Sequence, residues 1–245
     1  MKYLISISYD GTLFYGFERQ KNKRTIQGEI EKVLTIINKK KVEIKGAGRT
    51  DRGVHAFDQK AHFVLNQKVP IDRLLKAINS RLPSDIRINS IQEVDEEFHA
   101  RFDCISKTYK YYINTNEYDI MKNNYLYNYN KELNIKAMKE ASIYLLGPNN
   151  YEVFVSGPRD NYDSIINKID IKDNDGILEF TFIGKSFYRY MVRNMMGALL
   201  LVGENKIEPI KVKEMLDKKQ NIYHFKTVPA CGLYLMKVEY DKSIN

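Results

Sequence analysis

Apolar and polar residues alternate along several short stretches of the chain. Residues 3–9 place Ile5 and Ile7 on one face and Ser6 and Ser8 on the other, which predicts a β-strand. Similar patterns predict further strands within 42–48, 57–65, 82–94, 106–114, 164–172, 177–183 and 232–240. The sequence "DNDG" between the strands at 164–172 and 177–183 is typical of a hairpin turn.

Elsewhere the apolar residues recur at helical spacing. Ile26, Ile30 and Val33 fall on one face of a predicted helix, and Thr25 is its expected N-cap. Further helices are predicted near 71–80, from 135 to a stop at Gly147, over roughly 188–202 and near 209–218.

The order of these elements predicts an α+β fold with two similar halves. The first hundred residues run strand, helix, strand, strand, helix, strand, and the second half repeats this order more loosely. We therefore expect antiparallel sheets side by side with helices packed behind them, in a first half over 1–105 and a second over 106–245. Residues 116–131, rich in Asn, Tyr and Lys, are expected to form a loop or insertion.

Composition narrows the class of protein. The apolar runs are too short to span a bilayer, which takes roughly 18 residues or more, and the first residues do not resemble a signal peptide. The two cysteines, Cys104 and Cys231, are far apart, which argues against a disulfide framework or a zinc site. We expect a cytoplasmic protein with no membrane partner.

The chain is basic, with a formal net charge of +8 at pH 7. A basic surface favours polyanionic partners, of which nucleic acid is the usual one, although solubility alone is an alternative explanation. The 18 tyrosines would suit base stacking, but most are expected to be core and strand residues.

The stretch "GAGRTDRGVHAFDQKAHF" at 46–63 contains the candidate chemistry. A loop aspartate usually forms a turn or caps a helix, but Asp51 lies between Arg49 and Arg52. Two cations would lower the pKa of the Asp51 carboxyl and keep it ionised, as a nucleophile or electrostatic catalyst requires. Glycines around it would let a large planar group approach the backbone.

Neither a metal nor a cofactor is expected. Asp51 and His55 are four residues apart with His62 nearby, but this spacing on a loop fits no standard ligand set. The chain contains no dinucleotide fingerprint, phosphate-binding loop or serine nucleophile motif. The chemistry would therefore depend on one carboxylate.

The stretch at 46–63 strongly resembles the catalytic motif of the TruA family of tRNA pseudouridine synthases. The resemblance spans nearly the whole chain and includes "YDGTLFYGFERQ", "INSRLPSDI", "FHARF", "KTYKYYI", "FYRYMVRNMMGALLLVG" and "ACGLYLMKVEY". It implies two pseudo-symmetric α+β halves whose antiparallel sheets form one central sheet, with a basic cleft between the halves.

The resemblance also implies a catalytic set. Asp51 matches the catalytic aspartate, Tyr109 in "KTYKYY" matches the tyrosine that stacks on the target base, and Arg193 in "MVRN" matches the arginine that approaches the aspartate. Considered without the resemblance, Tyr109 would be an ordinary core tyrosine and Arg193 a solvent-facing helix residue.

The other residues of the loop are expected to bind substrate. Arg49 and Thr50 match the framework of the catalytic motif, and Arg52 and His55 lie beside it. Arg52 departs from the family, which usually has alanine there, and Phe17 stands where tryptophan is common. The segment 163–166 also departs from the family pattern. These departures affect positions expected to contact RNA, so they bear on the exact RNA target more than on the reaction.

The resemblance implies a homodimeric, cofactor-independent synthase that isomerises uridine to pseudouridine in the tRNA anticodon stem-loop, at positions 38 to 40. Two alternatives remain. The same chemistry could act on another RNA such as ribosomal RNA, or the chain could be an inactive RNA-binding module. A decayed module would be expected to lose Asp51, Tyr109 or Arg193, and all three are present.

Overall fold

The computed structural model of the chain describes residues 1–241. Within them the chain forms two compact units. The first unit contains Met1–Ile105 and the described residues from Tyr234 onward, and the second contains Ser106–Leu233. Most of the closing strand, which the sequence grouped with the second half, thus lies in the first unit.

The described residues include ten strands and five α-helices. The strands are β1 (Lys2–Tyr9), β2 (Lys45–Gly46), β3 (His55–Val64), β4 (Ile86–Val94), β5 (Ser106–Asn114), β6 (Tyr127–Asn128), β7 (Gly147–Asn150), β8 (Asp163–Asn174), β9 (Ile177–Gly184) and β10 (Leu233–Glu239). The helices are α1 (Ile26–Asn38), α2 (Ile71–Asn79), α3 (Ile135–Ile143), α4 (Met191–Gly203) and α5 (Lys211–Lys218). The predicted α+β class is confirmed.

In the first unit the strand order is β4-β1-β3-β10. Strand β1 pairs antiparallel with both β3 and β4, and its Ile5 and Ile7 are fully buried, as their alternation predicts. Strand β10 runs parallel to β3, with Tyr234 opposite His55. Helix α1 begins as predicted, because the Thr25 hydroxyl accepts the Gly28 N–H at 3.2 Å.

In the second unit β5, β9, β8 and β7 form an antiparallel sheet in that order. The hairpin between β8 and β9 turns at Asp175 and Gly176, whose φ angles are +52° and +82°. Two consecutive positive φ angles are typical of a type I′ turn, so the predicted hairpin is confirmed. Helix α4 is buried along most of its length.

In two regions the structure differs from the secondary structure that the sequence predicts. Strand β2 is only two residues long, although a strand was predicted over 42–48. The backbone of Ile44 is bonded instead to side chains of α1: its N–H donates to Glu31 and its carbonyl accepts from Gln27. The predicted loop at 116–131 contains a 3₁₀ turn at Ile120–Lys122 and the short strand β6.

None of the helices in residues 1–241 is both long and apolar enough to cross a membrane.

Candidate active site

Asp51 lies in the segment 47–54 between β2 and β3, which we call the Asp51 loop. The first part of this loop is bonded to β3. The Ala47 N–H donates to the Lys60 carbonyl at 2.7 Å, and the buried Gln59 amide donates to the Gly48 carbonyl at 3.1 Å. The strand therefore fixes where the loop begins.

The second part of the Asp51 loop is a tight turn. The Val54 N–H donates to the Asp51 carbonyl at 3.2 Å, and Gly53 has a φ of +80°, which favours glycine. Asp51 is half-buried, and the next residue, Arg52, is exposed. The turn thus holds a carboxylate that solvent or a ligand can still reach.

A second segment, residues 10–25, packs against this turn; we call it the Tyr15 loop. Its Gly16 has a φ of +93°, and a Cβ there would lie 2.8 Å from the Thr50 carbonyl oxygen. The Phe17 N–H donates to that same oxygen at 3.1 Å. The backbone around Asp51 is therefore positioned by direct contact with the backbone of the Tyr15 loop.

Thr50 links the Asp51 loop to the end of β1. It is 7% exposed, and its hydroxyl lies 2.8 Å from the Tyr9 hydroxyl in a buried hydrogen bond. Burial raises the pKa of the Tyr9 phenol, an effect that the hydrogen bond with Thr50 partly offsets. Both groups are therefore neutral near pH 7, and the pair acts as a fixed support beside Asp51.

His55 is buried at the start of β3, with 3% exposure. Its Nδ1 lies 3.1 Å from the Gly11 N–H and 3.2 Å from Asp10 Oδ1. A neutral imidazole accepts from Gly11 at this atom, whereas a protonated one would donate to Asp10. The ring stacks on Tyr234 at 4.6 Å. His55 therefore connects β3 with the Tyr15 loop and β10, and its expected contact with substrate stays a prediction.

The two arginines beside Asp51 have their close contacts in the Tyr15 loop. Arg49 pairs with Glu18, with 2.5 Å between Nη2 and Oε1, and both side chains are largely exposed. The Arg52 guanidinium lies over the Tyr15 ring, with Cζ 4.4 Å from the centroid. The expectation that these cations hold the Asp51 carboxylate ionised stays a prediction.

Tyr109 lies in the second unit, on β5. It is 6% exposed and faces Phe182 of β9 across the sheet. The edge of its ring meets Phe187, with centroids 5.0 Å apart and an interplanar angle of 71°. The ring is therefore held by aromatic packing on a regular strand.

Arg193 also lies in the second unit, but not in the middle of a helix as predicted. Helix α4 begins at Met191 instead of 188, because Tyr190 has a φ of +63°, which a right-handed helix cannot contain. Arg193 is thus in the first turn, where the helix dipole disfavours a cation. Its Nε donates to the Val228 carbonyl at 2.8 Å, and the guanidinium carbon lies 4.8 Å from the Tyr190 ring centroid.

The segment around Val228 is itself anchored. The buried Asn194 accepts from the Thr227 hydroxyl at 2.6 Å and donates to the Phe154 carbonyl at 2.9 Å. The fully buried Tyr111 donates its hydroxyl to the Pro229 carbonyl at 2.8 Å. Burial raises the pKa of Tyr111, and the nearby charge of Arg193 partly offsets this increase. The support for Arg193 is therefore rigid.

Several supporting residues were not singled out from the sequence. Tyr9, Tyr15 and Glu18 contact residues of the Asp51 loop, and Asp10 contacts His55 at the start of β3. All four lie within "YDGTLFYGFERQ" at 9–20. The signal in the sequence was its two glycines, because a glycine permits close approach of another backbone segment. The partner of each side chain could not be inferred from that signal.

Within residues 1–241, no group of three or more His, Cys, Asp and Glu side chains is placed to hold a metal ion. His62, which the sequence places near Asp51, accepts the Ala100 N–H at 3.1 Å. Burial, followed by the charges of His99 and Lys2, lowers the pKa of His62 to about 4. His62 is thus a neutral structural residue.

The sequence of the chain is similar to those of known proteins over nearly its whole length. A family model described as tRNA pseudouridine synthase matches residues 5–103 and 141–241, which include Asp51 and Arg193 but not Tyr109. Proteins named tRNA pseudouridine synthase A from Geobacillus sp. (strain WCH70), Bacillus subtilis (strain 168) and Thermosipho melanesiensis are 40%, 37% and 40% identical to this chain. These alignments cover 96–98% of this chain and 97–100% of the relatives.

Proposed function

The chain belongs to the tRNA pseudouridine synthase family, and we propose that it isomerises uridine to pseudouridine in the anticodon stem-loop of tRNA, at positions 38 to 40. The enzyme class, an isomerase that acts on uridine in tRNA, follows from the family itself. The stem-loop target is the finer part of the proposal and derives from the motif resemblance.

The observation that carries the proposal is the motif "GRTD" at 48–51, together with the support its backbone receives. Thr50 and Asp51 are held by Gly16, Phe17 and Tyr9, so the carboxylate is carried on a fixed backbone while remaining half-buried. Fixed orientation lowers the entropic part of a reaction barrier.

The reaction rearranges bonds without a net change in composition. The C1′–N1 bond breaks, the freed uracil rotates, and a C1′–C5 bond forms; the proton on C5 is lost and N1 gains one. The Asp51 carboxylate is suited to attack C6 of the base, to attack C1′ of the sugar, or to stabilise positive charge on the sugar. All three routes require an ionised Asp51 and no cofactor.

Tyr109 and Arg193 are proposed to complete the catalytic set. Removing the target base from its stack costs a few kcal/mol, and stacking on an aromatic ring returns roughly 1–3 kcal/mol. Tyr109 would supply this ring, and Arg193 would favour the ionised form of Asp51. Arg49, Thr50, Arg52 and His55 would support the loop or contact the RNA around the target.

The proposal is tested by mapping pseudouridine in RNA from cells with and without the gene. We expect loss of pseudouridine at tRNA positions 38 to 40, restored by the wild-type gene but not by an Asp51→Asn variant. Loss at ribosomal RNA positions instead would support the same chemistry on another substrate. An unchanged modification map would identify the chain as a binding module.

We also propose that the enzyme is a cytoplasmic homodimer, because the family resemblance implies that one subunit offers too little surface to grip a tRNA. Light scattering should give twice the chain mass of 28.8 kDa. A fully active species at the mass of one chain would contradict the homodimer, and recovery of the protein outside the cytosolic fraction would contradict the location.

A further inference from the structure

Three side chains beside Asp51 form a cation–aromatic cluster, which we call the Tyr15 cluster: Tyr15, Lys23 and Arg52. The Lys23 ammonium lies 4.5 Å and the Arg52 guanidinium carbon 4.4 Å from the centroid of the Tyr15 ring. Both cations are exposed, and Tyr15 is 36% exposed. Cation–π attraction therefore holds two positive groups at one place on the surface of the first unit.

The backbone of Tyr15 is fixed on both sides. Its N–H donates to the Arg24 carbonyl at 2.9 Å, and its carbonyl accepts from the Gln20 amide at 2.7 Å. Arg24 in turn forms two hydrogen bonds with the carboxylate of Asp85, at 2.7 and 2.8 Å. The ring is thus a stable platform on which Arg52 can rest.

The charge of the Tyr15 cluster is not compensated. Arg49, on the same loop, is paired with Glu18, but within residues 1–241 neither Lys23 nor Arg52 forms an ion pair with a carboxylate. Two uncompensated like charges held near one ring repel each other and create a local positive potential. An anion beside either cation would be attracted by that potential.

We propose that the Tyr15 cluster binds one phosphate of the RNA next to the nucleotide on which Asp51 acts. The inference rests on the proposed function. Arg52 directly follows Asp51, so their Cα atoms are about 3.8 Å apart, and the long Arg52 side chain starts beside the residue that acts on the RNA. Arg52 supplies the fork of N–H donors that fits a phosphate, and Lys23 adds a second charge.

Tyr15 is a positioning residue in this arrangement. Cations over its ring compete with a stacking base, so the cluster is suited to the backbone of the RNA and not to a base. By holding the guanidinium in place, the ring reduces the side-chain entropy that Arg52 would lose when it binds phosphate. The family's usual alanine at position 52 could make no such contact.

The first experiment measures the affinity for an unmodified tRNA transcript as a function of salt. We expect Arg52→Ala to weaken binding about tenfold and to lower the salt slope by about 0.9, the value for one phosphate. Tyr15→Phe keeps the ring and should match wild type, whereas Tyr15→Leu should weaken binding. Lys32→Ala, which removes an exposed lysine from α1, is the matched control.

Coupling within the Tyr15 cluster is tested by a double mutant. If Tyr15 acts through Arg52, adding Tyr15→Leu to Arg52→Ala should change neither the affinity nor the salt slope further. Lys32→Ala should keep the wild-type rate at saturating RNA as well as the wild-type affinity. Additive losses from the two substitutions would overturn the positioning role of Tyr15.

The phosphate is located with RNAs that carry one neutral methylphosphonate beside the target uridine. At one linkage the neutral group should weaken binding by wild type about tenfold but leave binding by Arg52→Ala unchanged. If no linkage shows this coupling, or if Arg52→Ala has the salt slope of Lys32→Ala, the proposal is overturned. Pseudouridine formation by wild type tests the proposed function separately, because the binding measurements do not depend on turnover.

Discussion

The Asp51 loop of the first unit and the surroundings of Tyr109 and Arg193 in the second are held by different means. Asp51 is on an irregular turn whose backbone contacts the backbone at Gly16. Tyr109 is on a nine-residue strand, and Arg193 is in the first turn of a thirteen-residue helix. One region depends on close approach between two loops, and the other on regular elements.

This difference predicts different sensitivities to mutation. A small change in backbone position near Gly16 would move the Asp51 carboxylate, because the backbone at Gly16 directly contacts the Thr50 carbonyl. On β5 and α4, the hydrogen bonds of the strand and helix fix the backbone. Removal of a side chain there should therefore reduce activity more than a small backbone strain does.

Asp51→Asn should have the largest effect. It removes the charge but keeps the shape of the side chain, so the rate at saturating tRNA should fall at least about 10³-fold while the affinity stays nearly unchanged. Single-turnover pseudouridine formation and tRNA binding are the measurements. Asp175→Asn is a matched control, since it lies in an exposed turn with a positive φ that asparagine accepts. Substantial turnover by the Asp51 variant would remove this residue from its proposed role.

Tyr109→Leu should cause the second-largest loss of activity. It removes the proposed stacking ring, worth roughly 1–3 kcal/mol, so we expect a loss of about five- to 150-fold in kcat/KM. Tyr109→Phe keeps the ring and its packing against Phe187, and should retain most activity. Equal losses in both variants would show that the hydroxyl, and not the stacking surface, is what the second unit contributes.

Gly16→Ala and Gly157→Ala test the contrast directly, because the two glycines have nearly equal φ angles of +93° and +89°. Both variants should lose about 1–2 kcal/mol from the strained backbone. At Gly16 the new Cβ would also meet the Thr50 carbonyl at 2.8 Å, whereas nothing lies within 4 Å at Gly157. We expect an extra loss of about 1–3 kcal/mol in the free energy of unfolding at Gly16, with reduced activity.

Denaturant unfolding of both glycine variants, together with their rates at saturating tRNA, provides the comparison. Equal stability and equal activity of the two variants would mean that the contact between the Tyr15 loop and the Asp51 loop does not position the catalytic turn.

Tyr9→Phe should have the smallest effect. It removes one partner of the buried hydrogen bond with Thr50, so we expect a loss of about 1 kcal/mol in the free energy of unfolding and a slight decrease in rate. Thr50→Val removes the other partner, and the double variant should cost less than the sum of the two single changes. Strict additivity would show that the two hydroxyl groups do not support the loop as a pair.

Much of the fold follows from local patterns in the sequence. The period-two alternation predicted β1, β5 and β9 to within one or two residues, because each of these strands has a buried face that must be apolar. The N-cap Thr25 and the hairpin at Asp175 and Gly176 were also predicted, since capping and turn geometry depend on adjacent residues.

Local sequence patterns did not predict the structure in two places, one of which is hydrogen-bonded to distant side chains. Residues 42–44 have the composition of a strand, but Ile44 is bonded to Glu31 and Gln27 of α1. Helix α4 starts later than its apolar pattern suggests, because Tyr190 adopts a left-handed conformation. The first difference comes from tertiary contacts that override local propensity.

The family, the α+β class and the candidate carboxylate could be predicted from the sequence alone, because a motif such as "GRTD" and the periodicity of the chain are local properties. The tertiary structure alone decided what surrounds Asp51: the pairing of Arg49 with Glu18, the placement of Arg52 over Tyr15 and the bond between Tyr9 and Thr50. These partners are 31 to 41 positions apart in the chain. Only folding brings such residues together, because the contact depends on how two separate loops pack.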